Sequence, residues 1–281
     1  AGIEARLPDF PGVKVEEGIM RSYPLSTATA HLIGYIGMVS KSEVTEDPVT
    51  RIPGFRIGKS GVERRYEEYL RGRAGRVHTE VNVVGREIRE LERDEGIKGE
   101  RVGLTIDSDL QMQCQEYLSK EKSASAVVID AENGEIYAMC SHPSFDPNIL
   151  SAGVSPNIWE DLISDPYNPL TNKAISGQYP PASTFKMIVA LAALEEGIIT
   201  ESTTVHCPGH YSLGSGKFHC WRKEGHRNMN VVSAISESCD VYFYEIGRRL
   251  GMEKITEYAR KFGLGAPLGF EIPHEAAGLI P

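Results

Sequence analysis

The sequence predicts an α/β (α+β) chain of two domains that divide near residue 100. Three observations predict it. Charge is concentrated in residues 1–100, in segments such as Val62-Glu63-Arg64-Arg65-Tyr66-Glu67-Glu68-Tyr69-Leu70 and Gly85-Arg86-Glu87-Ile88-Arg89-Glu90-Leu91. Two apolar runs, 126–130 and 135–140, are joined by Ala131-Glu132-Asn133-Gly134, and Asn-Gly between apolar runs marks a hairpin. Beyond residue 180 the apolar residues take helical spacing, so a hairpin carrying helices is expected.

In chain order, residues 62–70 have apolar or aromatic residues at 62, 66, 69 and 70, the spacing of one helix. Residues 76–81 alternate like a half-exposed strand. Gly54-Phe55-Arg56-Ile57-Gly58-Lys59-Ser60 is one residue short of a phosphate loop and has no apolar strand before it, so it reads as a turn. Val102-Gly103-Leu104-Thr105-Ile106 reads as a strand. Ser108 then caps a helix with Leu110, Cys114 and Leu118 on its inner face. Residues 141–182, rich in Pro, Asn and Ser, read as a long surface excursion. Helices follow over 184–196, closed by Gly197, then 231–250 and 253–262. Residues 1–100 form an open α+β module and 101–281 a more globular one.

Composition excludes several functions. The chain has 281 residues, 41% apolar and 25% charged, which allows one large or two ordinary domains with proper cores. Its longest apolar run, Met187 to Leu194, has eight residues, far short of the ~18 a membrane span needs. With 30 Lys and Arg against 39 acids, the net charge of −9 argues against nucleic-acid binding. Five cysteines are too few for a disulfide scaffold. The chain begins at Ala1-Gly2-Ile3 without a Met or leader and ends at Leu279-Ile280-Pro281, so both ends are expected to be cuts through a longer protein.

The informative motif is Ser183-Thr184-Phe185-Lys186, preceded by Tyr179-Pro180-Pro181-Ala182. A Ser and a Lys three apart on a helix lie on one face within proton-sharing reach. The prolines place Ser183 at the helix N-terminus, where free N–H groups stabilise an oxyanion. The rest of the helix is apolar on every side, which predicts burial, and a desolvated Lys186 can act as an amine base. Ser119-Lys120-Glu121-Lys122 has the same spacing but ends a charged helix, where its lysines are solvated.

With Ser238-Cys239-Asp240, these residues resemble the first and second active-site motifs of the penicillin-binding transpeptidases, the second in an Asp-ended form. The resemblance extends over Leu7-Pro8-Asp9-Phe10-Pro11-Gly12-Val13, Tyr23-Pro24, His31-Leu32-Ile33-Gly34-Tyr35-Ile36-Gly37, Gly58-Lys59-Ser60-Gly61-Val62-Glu63 and Ser141-His142-Pro143-Ser144-Phe145-Asp146-Pro147-Asn148. These are similar to the pedestal and catalytic domains of class B members of the elongation branch. The resemblance implies a penicillin-binding/serine β-lactamase-like transpeptidase domain over 101–281, incomplete at its C-terminus, behind a non-catalytic, dimerisation-like pedestal over 1–100. It implies Ser183 as the acylated nucleophile, Lys186 as its base, Ser238 as a proton relay and Asp240 in the place of the usual Asn. Asp donates a hydrogen bond only when protonated, which sets it apart from Asn. The third family motif, Lys-Thr-Gly, does not occur in these residues and is expected downstream of them.

Three of the five cysteines and four of the eight histidines fall within residues 206–239. The spacing Cys207, Cys220, His226, Cys239 matches no short zinc-finger pair. A Cys207–Cys220 disulfide or buried thiols are the alternatives to a metal. Some members of the resembling branch hold zinc here with mixed Asp, His and Cys ligands, and these four positions align with them, which implies a closed, structural Cys3His zinc site and no organic cofactor. His206, His210 and His219 read as surface residues, and Cys114 and Cys140 as inert core thiols. The implied partners are peptidoglycan stem peptides on lipid-linked precursor, β-lactams, a membrane glycosyltransferase and elongation-complex proteins. The implied location is the bacterial inner membrane, with a single-span anchor outside these residues and the domains in the periplasm. Two other readings share the serine site, a class D β-lactamase and a non-enzymatic β-lactam sensor, but neither accounts for residues 1–100.

Overall fold

The structure, a computed structural model, describes residues 20–83 and 86–280. The segment Leu7 to Val13 and Gly85 lie outside the described residues. The chain separates into two compact units, Ala1–Ala174 and Ile175–Pro281. The compositional boundary near residue 100 falls inside the first.

The first unit runs α1 (Ala30–Ile33), β1 (Ile36–Met38), β2 (Arg56–Gly58), α2 (Gly61–Arg65), α3 (Glu67–Arg71), β3 (Gly72–Arg73), β4 (Arg76–Val81), β5 (Glu87–Asp94) and β6 (Ile97–Lys98). It continues through α4 (Ser108–Leu118), β7 (Ala124–Ile129), β8 (Ile136–His142), α5 (Pro147–Ala152) and α6 (Pro156–Ser164), and α7 (Lys173–Ser176) follows at the division. The strands pair antiparallel, two by two: β1 with β2, β3 with β6, β4 with β5 and β7 with β8. The segment expected to be a turn over 54–60 therefore contains a strand, β2. Residues 62–70 form two helices and not one, because Tyr66, at φ −114° and ψ 27°, leaves the helical region. Glycine is required where α1 ends ahead of β1 and where α2 begins behind β2. A Cβ on Gly34 would lie 2.0 Å from the Ser60 carbonyl oxygen, and one on Gly61 2.4 Å from that of Leu32. The expected strand over 76–81 is β4, which with β5 makes an exposed ribbon laced by pairs such as Arg89 on Glu80 at 2.6 Å.

The helix α4 differs from its sequence reading in cap and in face. Asp107, not Ser108, is its N-cap, with one carboxylate oxygen accepting from the Asp109 and Leu110 N–H groups. Its most buried residues are Gln111 and Gln115, not the expected apolar row. Gln111 is fully buried because its amide is fully used. Oε1 accepts from Met139 N–H at 2.8 Å, and Nε2 donates to the carbonyls of Met139 at 2.9 Å and Ala28 at 2.6 Å. Residues 102–106 are not a strand. They touch β8 through Thr105 Oγ1 on the Ile136 carbonyl, and Asp107 just beyond them gives its N–H to that of Tyr137, too few bonds for a ladder. The β7–β8 hairpin is as expected.

The segment 141–182 is a correction as well. It holds helices α5 to α7, and Phe145 and Leu150 pack in a buried cluster with Ala30. Pro147 and Pro156, which punctuate loops in a sequence, here open helices behind the caps Asp146 and Ser155. His31 is buried edge-on to Phe145, with Nε2 2.6 Å from the Pro169 carbonyl oxygen. Burial pushes its imidazole down to about 4.

The second unit contains a 3-10 turn (Ala182–Phe185), α8 (Lys186–Glu195), β9 (Val205–Cys207), β10 (His210–Leu213), β11 (Gly216–His219), β12 (Arg227–Met229), α9 (Val231–Ser236), α10 (Asp240–Leu250) and α11 (Met252–Lys261). Its core packs Val189, Ala190, Ala192 and Ala193 of α8 against Tyr242 and Ile246 of α10. The small alanines let α10 and α11 approach closely. The expectation that α8 is buried on every side is corrected, since Met187 is 57% and Leu191 39% exposed, one turn apart on a single face. The single helix expected over 231–250 is broken between α9 and α10, at the second motif. No helix among the described residues is long and apolar enough to cross a membrane.

Candidate active site

The prolines of Tyr179-Pro180-Pro181 lead into the 3-10 turn that carries Ser183, and α8 begins at Lys186. Ser183 is exposed at this N-terminus and Lys186 is one turn on, as the spacing predicts. Lys186 reaches inward, its side chain 14% exposed. Nζ donates to Asp240 Oδ1 at 2.6 Å, the Ser238 carbonyl at 2.9 Å and Ser238 Oγ at 3.0 Å. It also lies 5.8 Å from the Phe243 ring centroid. Ser238 Oγ in turn donates to Ser183 Oγ at 2.8 Å. The four motif residues thus form one hydrogen-bonded chain, Asp240–Lys186–Ser238–Ser183, with Ser238 standing between nucleophile and lysine.

Asp240 opens α10, where a carboxylate favours the positive end of the helix. Burial would raise its carboxyl, but hydrogen bonds from the Lys186 ammonium and the Trp221 N–H outweigh it and hold it below the usual carboxylate range. Its second oxygen, Oδ2, accepts the Trp221 main-chain N–H at 3.0 Å. Both oxygens therefore face donors, an arrangement that an amide cannot match at both positions.

The break that positions Ser238 is a helix-ending turn. Ser238 N–H bonds to the Ile235 carbonyl at 3.1 Å and Cys239 N–H to that of Ala234 at 2.9 Å. These are the two reversed bonds of a Schellman cap, whose C′ position is left-handed and commonly Gly. Ser238 occupies it at φ 50°. Ala182, just before the nucleophile, is also left-handed at φ 48°. Both serines are thus presented by strained, sharply turned backbone.

Cys207, Cys220, His226 and Cys239 converge, all buried, with their ligand atoms within 4.8 Å of one another. Cys207 ends β9, Cys220 follows β11, His226 precedes β12 and Cys239 is the N-cap of α10. His226 Nδ1 lies 3.6 Å from Cys207 Sγ and 3.5 Å from Cys220 Sγ. The loop reversals need Gly225, whose Cβ would lie 2.1 Å from the Cys207 carbonyl oxygen. All five cysteines are free thiols, so the expected disulfide alternative is not formed. Burial pushes the Cys239 thiol up to about 12. His206 and His219 are exposed and His210 half-buried, outside the cluster. Cys140 is buried under α4, its thiol also pushed up to about 12 by burial, and Cys114 is half-buried. The residue that sequence reasoning missed is Trp221. Its indole N–H donates to the Glu237 carbonyl at 3.0 Å and its ring meets His226 edge to face. Its place directly after a cluster cysteine was the available signal.

Comparison with known proteins gives consistent matches. A family described as Penicillin binding protein transpeptidase domain matches residues 124–281, and one described as Penicillin-binding Protein dimerisation domain matches residues 1–104. The peptidoglycan D,D-transpeptidase MrdA of Escherichia coli (strain K12) is 38% identical over 279 residues, which cover 97% of this chain and 44% of that protein. The chain thus spans less than half the length of this relative. Among solved structures, the penicillin-binding protein PBP2 of Helicobacter pylori, in complex with MreC, matches with a TM-score of 0.90 and 34% identity, over 100% of this chain and 52% of that one. PBP2 of Pseudomonas aeruginosa in complex with WCK 5153 matches with a TM-score of 0.79 and 32% identity, over 95% of this chain and 56% of that one.

Proposed function

The chain belongs to the penicillin-binding protein transpeptidase domain family, and on that premise we propose that it is part of a peptidoglycan D,D-transpeptidase of cell-wall elongation. The observation that carries this is the hydrogen-bonded chain from Asp240 through Lys186 and Ser238 to Ser183. Ser183 Oγ attacks the carbonyl carbon of the D-Ala-D-Ala amide of a stem peptide. Its proton passes to Ser238 Oγ, whose own proton passes to Lys186 in its amine form. In the resting arrangement the donors run the opposite way, from Nζ to Ser238 to Ser183. That direction returns the proton to the departing D-Ala amine. The acyl group on Ser183 then passes to the amine of a neighbouring strand, and β-lactams acylate the same oxygen. Asp240 keeps Lys186 in place throughout.

Residues 1–100 serve as the non-catalytic pedestal and 101–281 as the first part of the transpeptidase domain, a division supported by the two family matches. The elongation reading is supported by the E. coli relative and by the H. pylori structure, which is of a complex with MreC. It implies a periplasm-facing protein held at the inner membrane, working beside a membrane glycosyltransferase and elongation-complex proteins on lipid-linked precursor.

Zinc fits the cysteine–histidine cluster. Bonds of ~2.3 Å to sulfur and ~2.0 Å to nitrogen imply tetrahedral S···N edges of ~3.5 Å, and the two S···N separations are 3.6 and 3.5 Å. Cys207, Cys220 and Cys239 as thiolates and His226 through Nδ1 would hold it. Bound zinc would supply structural closure and no chemistry to the substrate. Cys239, between Ser238 and Asp240, would carry that closure to the second motif.

Fluorescent penicillin tests the function on the full-length protein. A persistent one-to-one adduct is expected, absent in Ser183→Ala. Rapid turnover of label would make the protein a β-lactamase, and loss of rod shape with Ser183→Ala in the host separates a transpeptidase from a sensor. Metal analysis after purification without added zinc is expected to find one zinc per chain, and a stoichiometry near zero sinks the zinc site.

A further inference from the structure

Trp221 is 62% exposed, so burial contributes little to holding it. It is nonetheless tied at three points. Its main-chain N–H donates to Asp240 Oδ2 at 3.0 Å, its indole Nε1–H donates to the Glu237 carbonyl at 3.0 Å, and its ring meets His226 edge to face with centroids 5.3 Å apart. Glu237 and Asp240 bracket Ser238, whose left-handed φ of 50° persists in a serine only where its surroundings over-determine it. We propose that Trp221 is a positioning residue for the acyl-transfer site, a latch that fastens the Ser238 turn and Asp240 to the cysteine–histidine cluster.

Each contact has its own effect. Glu237 is the C-cap of α9, and a carbonyl at a helix end needs a donor from outside the helix. The indole N–H supplies one and fixes the peptide plane that joins Glu237 to Ser238. The main-chain N–H holds Asp240 Oδ2, which leaves Oδ1 turned to Lys186 Nζ. Because Trp221 directly follows Cys220, a displacement of that cysteine reaches Asp240 through a single peptide unit. The latch therefore grips the turn on both sides of Ser238, at Glu237 and at Asp240, while Cys239 ties it to the cluster from within.

The test uses the full-length protein with Trp221→Phe, which keeps the ring and the main-chain N–H but removes the indole donor, and with Trp221→Ala. Hydrogen exchange at amides 237–240 reads the turn directly. Stopped-flow acylation by fluorescent penicillin, resolved into binding and the acylation step, reads the site, and this second arm rests on the proposed acyl-transfer function. In Trp221→Phe, exchange of the Ser238 and Cys239 amides is expected to quicken roughly 3- to 10-fold, the worth of one hydrogen bond. The acylation step is expected to slow by a similar factor with penicillin binding unchanged, and further in Trp221→Ala. Unchanged exchange in both variants overturns the latch, whether or not the protein is acylated. Weakened binding with an unchanged acylation step overturns the positioning role in favour of a substrate contact. If the wild-type protein takes no label, the acyl-transfer function fails, and the exchange arm alone decides the latch.

Discussion

Replacing Ser238 by Gly and by Ala separates what its backbone costs from what its hydroxyl does. Both variants lose the oxygen that lies 2.8 Å from Ser183 and 3.0 Å from Lys186. Their stability difference therefore isolates the left-handed conformation at φ 50°. A residue with a Cβ spends roughly 1–2 kcal/mol in that region. Glycine escapes this but gains unfolded-state freedom that takes back roughly 0.4–1 kcal/mol. The Gly variant should then be more stable than the Ala variant by about 1 kcal/mol. For a chain of this size that is a midpoint higher by about 2–4 °C. Urea unfolding and thermal melts of the two proteins under identical conditions read the difference. Acylation by fluorescent penicillin should fall in both by roughly 100- to 10,000-fold, the usual worth of a proton-transfer partner. A Gly variant no more stable than the Ala variant refutes the strained helix-ending turn, and either variant acylating at the wild-type rate refutes the relay.

Other changes test other parts of the molecule. Asp240→Asn must turn its amide N–H2 toward Lys186 Nζ or the Trp221 N–H, both donors, so acylation should slow about tenfold and stability fall by about 1 kcal/mol; an unchanged rate refutes the need for a carboxylate. Gln111→Leu leaves the main-chain groups of Met139 and the Ala28 carbonyl without partners, and should cost roughly 2–4 kcal/mol in urea unfolding; a loss under ~1 kcal/mol would contradict this. Burial lowers His31 from 6.5 to about 4. The unfolded chain therefore binds the extra proton between those values, and His31 contributes stability that is fully present above pH ~6.5 and is lost as pH falls toward ~4, up to about 3 kcal/mol. Unfolding measured from pH 7 to pH 4.5 should show this slope, and His31→Gln should flatten it.

The sequence made the chemistry more legible than the backbone that delivers it. Ser183 and Lys186 were readable because a turn of helix is a fixed ruler, and the cysteine–histidine cluster because residues of two rare types crowd a short span. The break at Ser238 was not, because the left-handed turn is made by serine, and neither Gly nor Pro stands near it: the one glycine of 231–250, Gly247, lies well inside α10. The inner face of α4 was misread for a related reason. Periodicity counts apolar residues, whereas Gln111 and Gln115 are buried by hydrogen bonds to chain far away in sequence. The exposure of Met187 and Leu191 was hidden because an all-apolar helix has no polar side to mark its open face. Trp221 acts through a main-chain N–H and an indole N–H, neither of which leaves a pattern in one dimension.

The amide of Gln111 also sets the polarity of sheet assembly. In the β7–β8 hairpin, Met139 faces Val127 across the ladder and gives both of its main-chain groups, on the other side, to that one side chain. A glutamine thus does the work of a one-residue strand and seals the middle of this margin against any incoming chain. On the opposite margin β7 has no further strand among the described residues, and Val127 and Ile129 stand exposed. A third strand, whether from the same polypeptide or from another molecule, can register only against β7. The sheet is extensible in a single direction, and a buried amide chooses which.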